Sequence, residues 1–155
     1  MKYGLRVLAL ALLVSCLNCG WMVKPAEVEL VGLAFPGESV LDLSVKVRNP
    51  NSFSAKVSDV EYTVFIGSEA VGRGRANEVL SLRGRDSLVT CLPLSYDMAA
   101  LFRVLPQLAQ DTIVCRVDGT YQLEVLLLKP RMKFSVERRI AVKEKLLAVL
   151  GAVMK

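Results

Sequence analysis

Apolar and polar residues alternate with a period of two along most of this chain, as is typical of β-strands that bury one face. The run 41–48 alternates without interruption, with Leu, Leu, Val and Val on one side and Asp, Ser, Lys and Arg on the other. Comparable runs follow at 60–66, 113–125 and 132–142, where only Arg138 breaks the phase. One apolar face and one polar face per strand predict antiparallel sheets packed against each other.

Turn-forming residues separate these runs, which supports the strand assignment. The sequence Phe35-Pro36-Gly37-Glu38 follows a first strand near 26–34, Gly67-Ser68 forms a tight hairpin candidate, and Lys129-Pro130 divides the last two long strands. Residues 70–84 and 86–96 supply two further strands with a less regular pattern. About seven strands in one domain predict an all-β, antiparallel β-sandwich.

One stretch has the pattern of a helix instead. Asp97 is a good N-cap for a helix that begins at Met98, and Pro106 is expected to stop or kink it. Near the C-terminus, residues 143–155 fit either a short apolar helix or a strand extension, and the pattern does not choose between them.

The first twenty residues have the layout of a bacterial secretory signal. Lys2 and Arg6 precede an apolar run at 7–14, which ends at the small residue Ser15. Eight helical residues span about 12 Å, too short for a hydrocarbon layer of about 30 Å. Two alternatives stay open, namely a retained anchor helix reaching Val23 and a plain signal peptide cut near residues 19–20.

Leu13-Val14-Ser15-Cys16 resembles the lipobox of bacterial lipoproteins. The resemblance implies cleavage before Cys16, acylation of its thiol and amino group, and attachment to a membrane through the lipid. Leu17, which is not an aspartate, favours the outer membrane with the protein facing the periplasm. The expected organisation is a signal peptide at 1–15, a lipidated tether at 16–25, a sandwich domain at 26–143 and a C-terminal tail at 144–155.

Composition removes several classes of function. The 155 residues contain no histidine, which excludes histidine-dependent triads and histidine zinc sites, and the formal net charge is +5. Loss of Lys2 and Arg6 with the signal peptide leaves 18 cations against 15 anions. This weak excess does not call for a nucleic-acid partner, and the sequence indicates no metal, cofactor or small-molecule substrate.

From about residue 27 to residue 142, and most specifically from 41 to 74, the chain resembles the WHy (water stress and hypersensitive response) domain of the group 2 late-embryogenesis-abundant family. The resemblance is carried by a strand that ends at Asn49-Pro50-Asn51, a strand containing Tyr62, a short hairpin, and the glycine-rich Ala70-Val71-Gly72-Arg73-Gly74. It implies an immunoglobulin- or fibronectin-III-like sandwich with no catalytic residues and a protective role in desiccation and related stresses. Weaker alternation at 86–96 leaves the corresponding strand uncertain.

Three features are candidate sites, each with a structural alternative. Asn49, Pro50 and Asn51 are expected to form a structural turn rather than a ligand site. Cys91 and Cys115 could form a disulfide in an oxidising compartment, but Cys115 fits a buried free thiol equally well. The third feature is a basic surface of Arg73, Arg75, Arg83 and Arg85, extended by Lys46, Arg48 and Lys56, which could contact anionic lipid or simply be a solvated face.

Two functions from different classes follow. The first is a non-enzymatic, lipid-anchored envelope protein that protects client proteins or the membrane under stress. The second is a binding or adaptor module within a membrane-associated assembly, since sandwich edges suit the addition of a partner strand. A hydrolase is disfavoured, because the sequence shows no convergent set of ionisable residues.

Overall fold

The computed structural model describes residues 23–34, 41–108, 110 and 112–141. These residues form eight strands and one helix, with the following bounds: β1 Glu27–Ala34, β2 Leu41–Arg48, β3 Ala55–Ile66, β4 Glu69–Ala76, β5 Leu80–Leu82, β6 Ser87–Tyr96, α1 Met98–Leu108, β7 Thr112–Glu124 and β8 Arg131–Ala141. The predicted signal peptide, Cys16, the turn at 35–38 and the tail at 144–155 lie outside the described residues.

All strand pairs are antiparallel and follow the order β1-β2-β6-β4-β3-β7-β8, with β5 paired to β3. Strand β6 connects the two layers of the sandwich. Its residues 87–94 pair with β2, whereas Ser95 and Tyr96 pair with Arg73 and Gly72 of β4. The order then places β1 and β8 at the two outer edges, where the sheet nearly closes.

The prediction of an antiparallel β-sandwich with one short helix is confirmed, with eight described strands instead of about seven. The extra strand arises because the region 70–84 is split between β4 and β5, with residues 77–79 connecting them. The irregular region 86–96 is nevertheless a single strand. Its first half is exposed, so the alternation of a half-buried strand begins only at Leu92 and Leu94.

The core consists of the apolar residues that the period-two pattern places on one face of each strand. Leu43, Val45 and Val47 of β2 face the interior opposite layer β3–β7, where Val64, Val117 and others are equally buried. Tyr121 is the largest of the fully buried side chains. This alternation is why the strand positions could be inferred from the sequence.

Arg138 explains the single break in the pattern of the last strand. The pairing of β8 with β7 is continuous from Arg131 to Ala141, so Arg138 occupies the same face as Val136 and Ile140. Its Nη1 donates hydrogen bonds to the carbonyl oxygens of Leu30 (2.5 Å) and Val31 (2.8 Å) on β1. The charge therefore stands where the two outer edges meet, and it satisfies carbonyl groups that lack a strand partner there.

Helix α1 packs on the sandwich through Ala100 and Val104, and its N-terminus is capped as predicted. The Asp97 carboxylate accepts a hydrogen bond from the backbone N–H of Ala99 at 2.9 Å. The helix does not stop at Pro106 but continues to Leu108, since Pro106 lies in its last turn where few hydrogen bonds are lost. Among the described residues, no helix is both long and apolar enough to span a bilayer.

Candidate functional site

Four segments meet at one end of the sandwich. Antiparallel pairing places the start of β1 beside the end of β2, the start of β6 and the β7–β8 turn. We call this the tether end, because the chain enters the described structure here, and define it by these segments: 24–26, 49–54, 83–86 and 125–130. The opposite end holds the Gly67-Ser68 hairpin and α1.

The Asn49 side chain joins two of these segments from inside the protein. It is 1% exposed, and its Nδ2 donates to the carbonyl oxygens of Phe53 (2.7 Å) and Arg83 (3.1 Å). Its Oδ1 accepts hydrogen bonds from the backbone N–H and the Nδ2 of Asn51, both at 3.0 Å. An amide can supply two donors and a two-fold acceptor, and here all of them are used.

Asn51 ties the incoming chain to the same cluster. Its Oδ1 accepts from the backbone N–H of Lys24 and its Nδ2 donates to the carbonyl of Lys24, both at 2.9 Å. Its own carbonyl accepts from the N–H of Arg85 at 2.8 Å. A Cβ on Gly84 would stand 2.3 Å from the carbonyl oxygen of Ser52, so the two loops meet backbone to backbone.

Tyr121 fixes the chain a second time, two residues later. Its hydroxyl oxygen, buried in the core, accepts a hydrogen bond from the N–H of Ala26 at 2.7 Å. Burial raises the pKa of Tyr121, and the hydrogen bond from Ala26 opposes part of that rise. Residues 24 and 26 are therefore both held to the sandwich, and the connection of the domain to the preceding part of the chain lies at this end.

The β7–β8 turn at the same end is apolar and exposed. Backbone hydrogen bonds of 2.9 Å in both directions pair Val125 with Leu128, so Leu126 and Leu127 form a two-residue turn. Leu126, Leu127 and Leu128 are 76%, 97% and 62% exposed. Leu126 has a φ of 55°, a conformation that such turns normally assign to Gly, Asn or Asp. We call Leu126–Leu128 the leucine turn.

Cations surround the leucine turn. Arg83 and Lys56 line an open depression of about 340 Å³ together with Leu126 and Glu124. Lys129 adjoins the turn and pairs with Glu124 at 3.4 Å. Within the described residues, the side chains of Lys24, Lys56, Arg83 and Arg85 have no acidic partner. The tether end thus combines exposed leucines with unpaired positive charge.

The predicted basic surface is divided by the structure. Arg75 and Arg48 are engaged with Glu61 (3.7 Å) and Glu27 (3.2 Å). Arg83 and Arg85 belong to no strand but to the β5–β6 turn, where Arg85 has a φ of 61°. Both arginines therefore join the tether end, together with Lys56.

The disulfide considered for Cys91 and Cys115 is not formed, and both are free thiols. The two strands present them in different directions, because Cys115 belongs to the buried set of β7 whereas Cys91 is on the exposed set of β6, 3.7 Å from the Ser44 hydroxyl. Burial raises the pKa of the Cys115 thiol from 9.0 to about 11. The buried free thiol left open by the sequence is the arrangement observed.

Sequence reasoning missed the leucine turn and the two anchors of the entering chain. Three consecutive leucines before Lys129-Pro130 were a visible signal for the turn, since a surface hairpin normally carries polar residues. The contacts of Tyr121 with Ala26 and of Asn51 with Lys24 span 95 and 27 positions and leave no local pattern.

Comparison with known proteins places this fold in a family. Residues 44–138 match the family model described as late embryogenesis abundant protein, type 2, which is more than half of the chain. The chain therefore belongs to the late embryogenesis abundant type 2 family. No curated protein has a significantly similar sequence.

Two solved structures share the fold. An Arabidopsis thaliana protein solved in solution is 18% identical with a TM-score of 0.59, and the match covers 76% of this chain and 82% of that one. A crystal structure of an Archaeoglobus fulgidus protein is 16% identical with a TM-score of 0.50, covering 76% of this chain and 95% of that one. At these identities the likeness concerns the fold alone.

Proposed function

We propose that this chain is a non-enzymatic protein of the WHy type, anchored to the bacterial envelope by a lipid on Cys16, that protects proteins or membranes during desiccation and related stress. Membership of the late embryogenesis abundant type 2 family supports the stress-related role. The lipobox Leu13-Val14-Ser15-Cys16 supports the anchor. An outer-membrane position facing the periplasm follows from Leu17 by the same resemblance.

The observation that supports the protective role is that polar groups of the sandwich are paired with one another inside the protein. The buried asparagines are fully hydrogen-bonded inside, and many charged side chains on the outer faces are arranged in exposed ion pairs such as Arg131–Glu61 at 2.9 Å. A domain whose polar groups are satisfied internally depends less on water to keep them paired. Such a domain can stay folded while water is withdrawn and separate other macromolecules from one another.

Drying a labile enzyme with the purified chain tests the protective role. Activity recovered after rehydration should exceed that with an equal mass of an inert globular protein. Asn49→Ala supplies a matched variant, because it weakens the fold without changing the outer surface, and protection should fall with the folded fraction. Equal recovery with the chain and with the inert protein would refute the role.

The anchor is tested separately by mass spectrometry of the mature N-terminus in a bacterial host. The expected product begins at Cys16 and carries acyl mass. Cys16→Ser should abolish that mass, whereas Cys19→Ser should leave it unchanged. A mature chain that begins elsewhere without acyl mass contradicts the anchor.

An adaptor within a membrane-associated assembly is the second candidate, and one observation favours it. Strand β6 pairs with β2 along residues 87–94, but it meets β4 only at Ser95 and Tyr96. Within the described residues, the opposite edge of 87–92 has no strand partner, and Leu88 and Val89 in this stretch are exposed. An edge of this kind can accept a partner strand. Recovery of a stoichiometric partner from solubilised membranes, lost on Val89→Pro, favours this function.

A further inference from the structure

We propose that the leucine turn is a membrane-contacting tip that inserts into the surface of an anionic lipid bilayer, with the tether end facing the membrane. The proposal deepens the proposed function and rests on its placement of the protein at a membrane. It concerns a second contact, made by the folded domain itself, rather than the lipid on Cys16.

The exposed leucines require an explanation because soluble domains normally place polar residues at such a turn. Three neighbouring leucines, one of them 97% exposed, form a compact apolar patch at a loop tip. The turn also extends past the adjacent strand, since the last pair between β3 and β7 is Lys56 with Glu124. The leucines can therefore insert into a bilayer surface without distortion of the sheet.

The path of the chain shows which surface lies opposite this tip. Lys24 is held by Asn51 and Ala26 by Tyr121, so the covalent connection of the domain to Cys16 lies at the same end that carries the leucine turn. Eight residues span at most about 28 Å when fully extended. A chain anchored at Cys16 therefore keeps the tether end close to the bilayer, whereas α1 and its exposed Phe102 lie at the opposite end.

The charge around the leucines identifies an anionic surface. Lys24, Lys56, Arg83 and Arg85 have no acidic partner among the described residues, and Lys129 adjoins the leucines directly. Clustered cations next to exposed apolar side chains are the pattern of proteins that lie on anionic lipid, because the cations attract headgroups while the apolar side chains enter the acyl boundary. The leucines and the cations thus both fit an anionic lipid surface.

A tryptophan reporter tests insertion directly. The chain has one tryptophan, so Trp21→Phe combined with Leu127→Trp leaves a single reporter at the tip, in the full chain. On vesicles of phosphatidylcholine and phosphatidylglycerol we expect a blue shift and quenching by brominated acyl chains, with little of either on phosphatidylcholine alone. The matched control combines Trp21→Phe with Phe102→Trp, which places the single reporter at the opposite end. Its fluorescence should stay unquenched.

The outcomes separate this proposal from the anchor and from other occupants. Quenching at the tip in a Cys16→Ser background supports insertion whether or not Cys16 is lipidated in the cell. A tip reporter that stays solvent-exposed on vesicle-bound protein overturns the proposal, as does quenching of the Phe102→Trp reporter alone. A change of oligomeric state on Leu127→Ser without any quenching would assign the tip to a contact between copies and also overturn it.

A pair of substitutions measures the contribution of each part. Leu127→Ser with Leu128→Ser, in the Cys16→Ser background, should reduce vesicle affinity about tenfold or more, because two apolar side chains that would be buried in the bilayer are removed. Arg83→Gln with Arg85→Gln should flatten the salt dependence of binding. Retained affinity and an unchanged salt response in both variants would contradict the assignment.

Discussion

Two turns at the same end of this sandwich differ in the side chains that they bury and expose. The turn at 49–51 buries two asparagine side chains and pairs their polar atoms with Phe53, Arg83 and Lys24. The leucine turn leaves three large apolar side chains in solvent. Buried polar groups and exposed apolar patches are the informative exceptions to the usual distribution. The first is explained by connections inside the protein, whereas the second has no side chain covering it among the described residues and indicates a partner outside the domain.

The largest predicted effect concerns the buried turn. Asn49→Ala removes two donated and two accepted hydrogen bonds, so the carbonyls of Phe53 and Arg83 and the N–H and Nδ2 of Asn51 each lose this partner. We expect a loss of about 3 kcal/mol in the free energy of unfolding, measured with urea. Asn77→Ala, at an exposed position, is the control and should change stability by less than about 0.5 kcal/mol. Equal effects would remove the distinction between the two kinds of position.

The second prediction concerns the buried thiol of Cys115, which can ionise, unlike the buried amide of Asn49. Burial raises the pKa of Cys115 from 9.0 to about 11, so the unfolded chain releases this proton at lower pH than the folded one. The contribution of this thiol to stability is therefore fully present below pH 9 and is lost as the pH rises from 9 to 11, by about 2 to 3 kcal/mol in total. Buried Tyr62 and Tyr121, whose pKa values are also raised, add loss of the same sign at higher pH.

Unfolding measured between pH 8 and 11 checks the contribution of Cys115. The Cys115→Ala variant should show a shallower decline than the parent, whatever its stability at neutral pH. Cys91→Ala, which changes an exposed thiol, should keep the parent slope. A parent slope that persists in Cys115→Ala would be the contradictory result.

The third prediction concerns the hydrogen bond between Tyr121 and Ala26, one of the two contacts that hold residues 24–26 to the sandwich. Tyr121→Phe removes the acceptor for the N–H of Ala26 while keeping the ring, so we expect a loss of about 1 to 2 kcal/mol. Amide exchange should accelerate at Ala26 and change less at Lys24, which Asn51 still holds. If both amides exchange faster by the same factor, the two anchors act as one unit.

The smallest effect has the opposite sign and concerns the leucine turn. Leu126→Asn relieves the positive φ of Leu126 and should stabilise the protein by about 0.5 to 1 kcal/mol. Leu127→Asn, at a neighbouring position without positive φ, should bring no such gain. Together with weaker vesicle binding, a gain at Leu126 would show that this turn trades stability for contact with lipid. No gain would mean that the conformation carries no strain.

Much of the fold could be inferred from local signals. The strands β2, β3, β7 and β8 follow from alternation, and the start of α1 follows from Asp97, whose carboxylate caps the helix in the structure. The bounds of β4 and β6 were less exact, because part of each is exposed and the alternation weakens where a face is not buried. The turn at Asn49-Pro50-Asn51 was visible in the sequence, but its contacts with Lys24 and Arg83 were not.

The sequence by itself determined the period of the strands, the positions of the main turns and the family, because these depend on residues that are neighbours along the chain. Only the tertiary structure decided that Cys91 and Cys115 stay apart, that Arg138 bonds to the carbonyls of β1, and that Lys24 and the leucine turn lie at the same end of the sandwich. Those features depend on strand order and register, which join residues far apart in sequence. Their energies come from packing and hydrogen bonds across the whole sandwich, so no local pattern contains them.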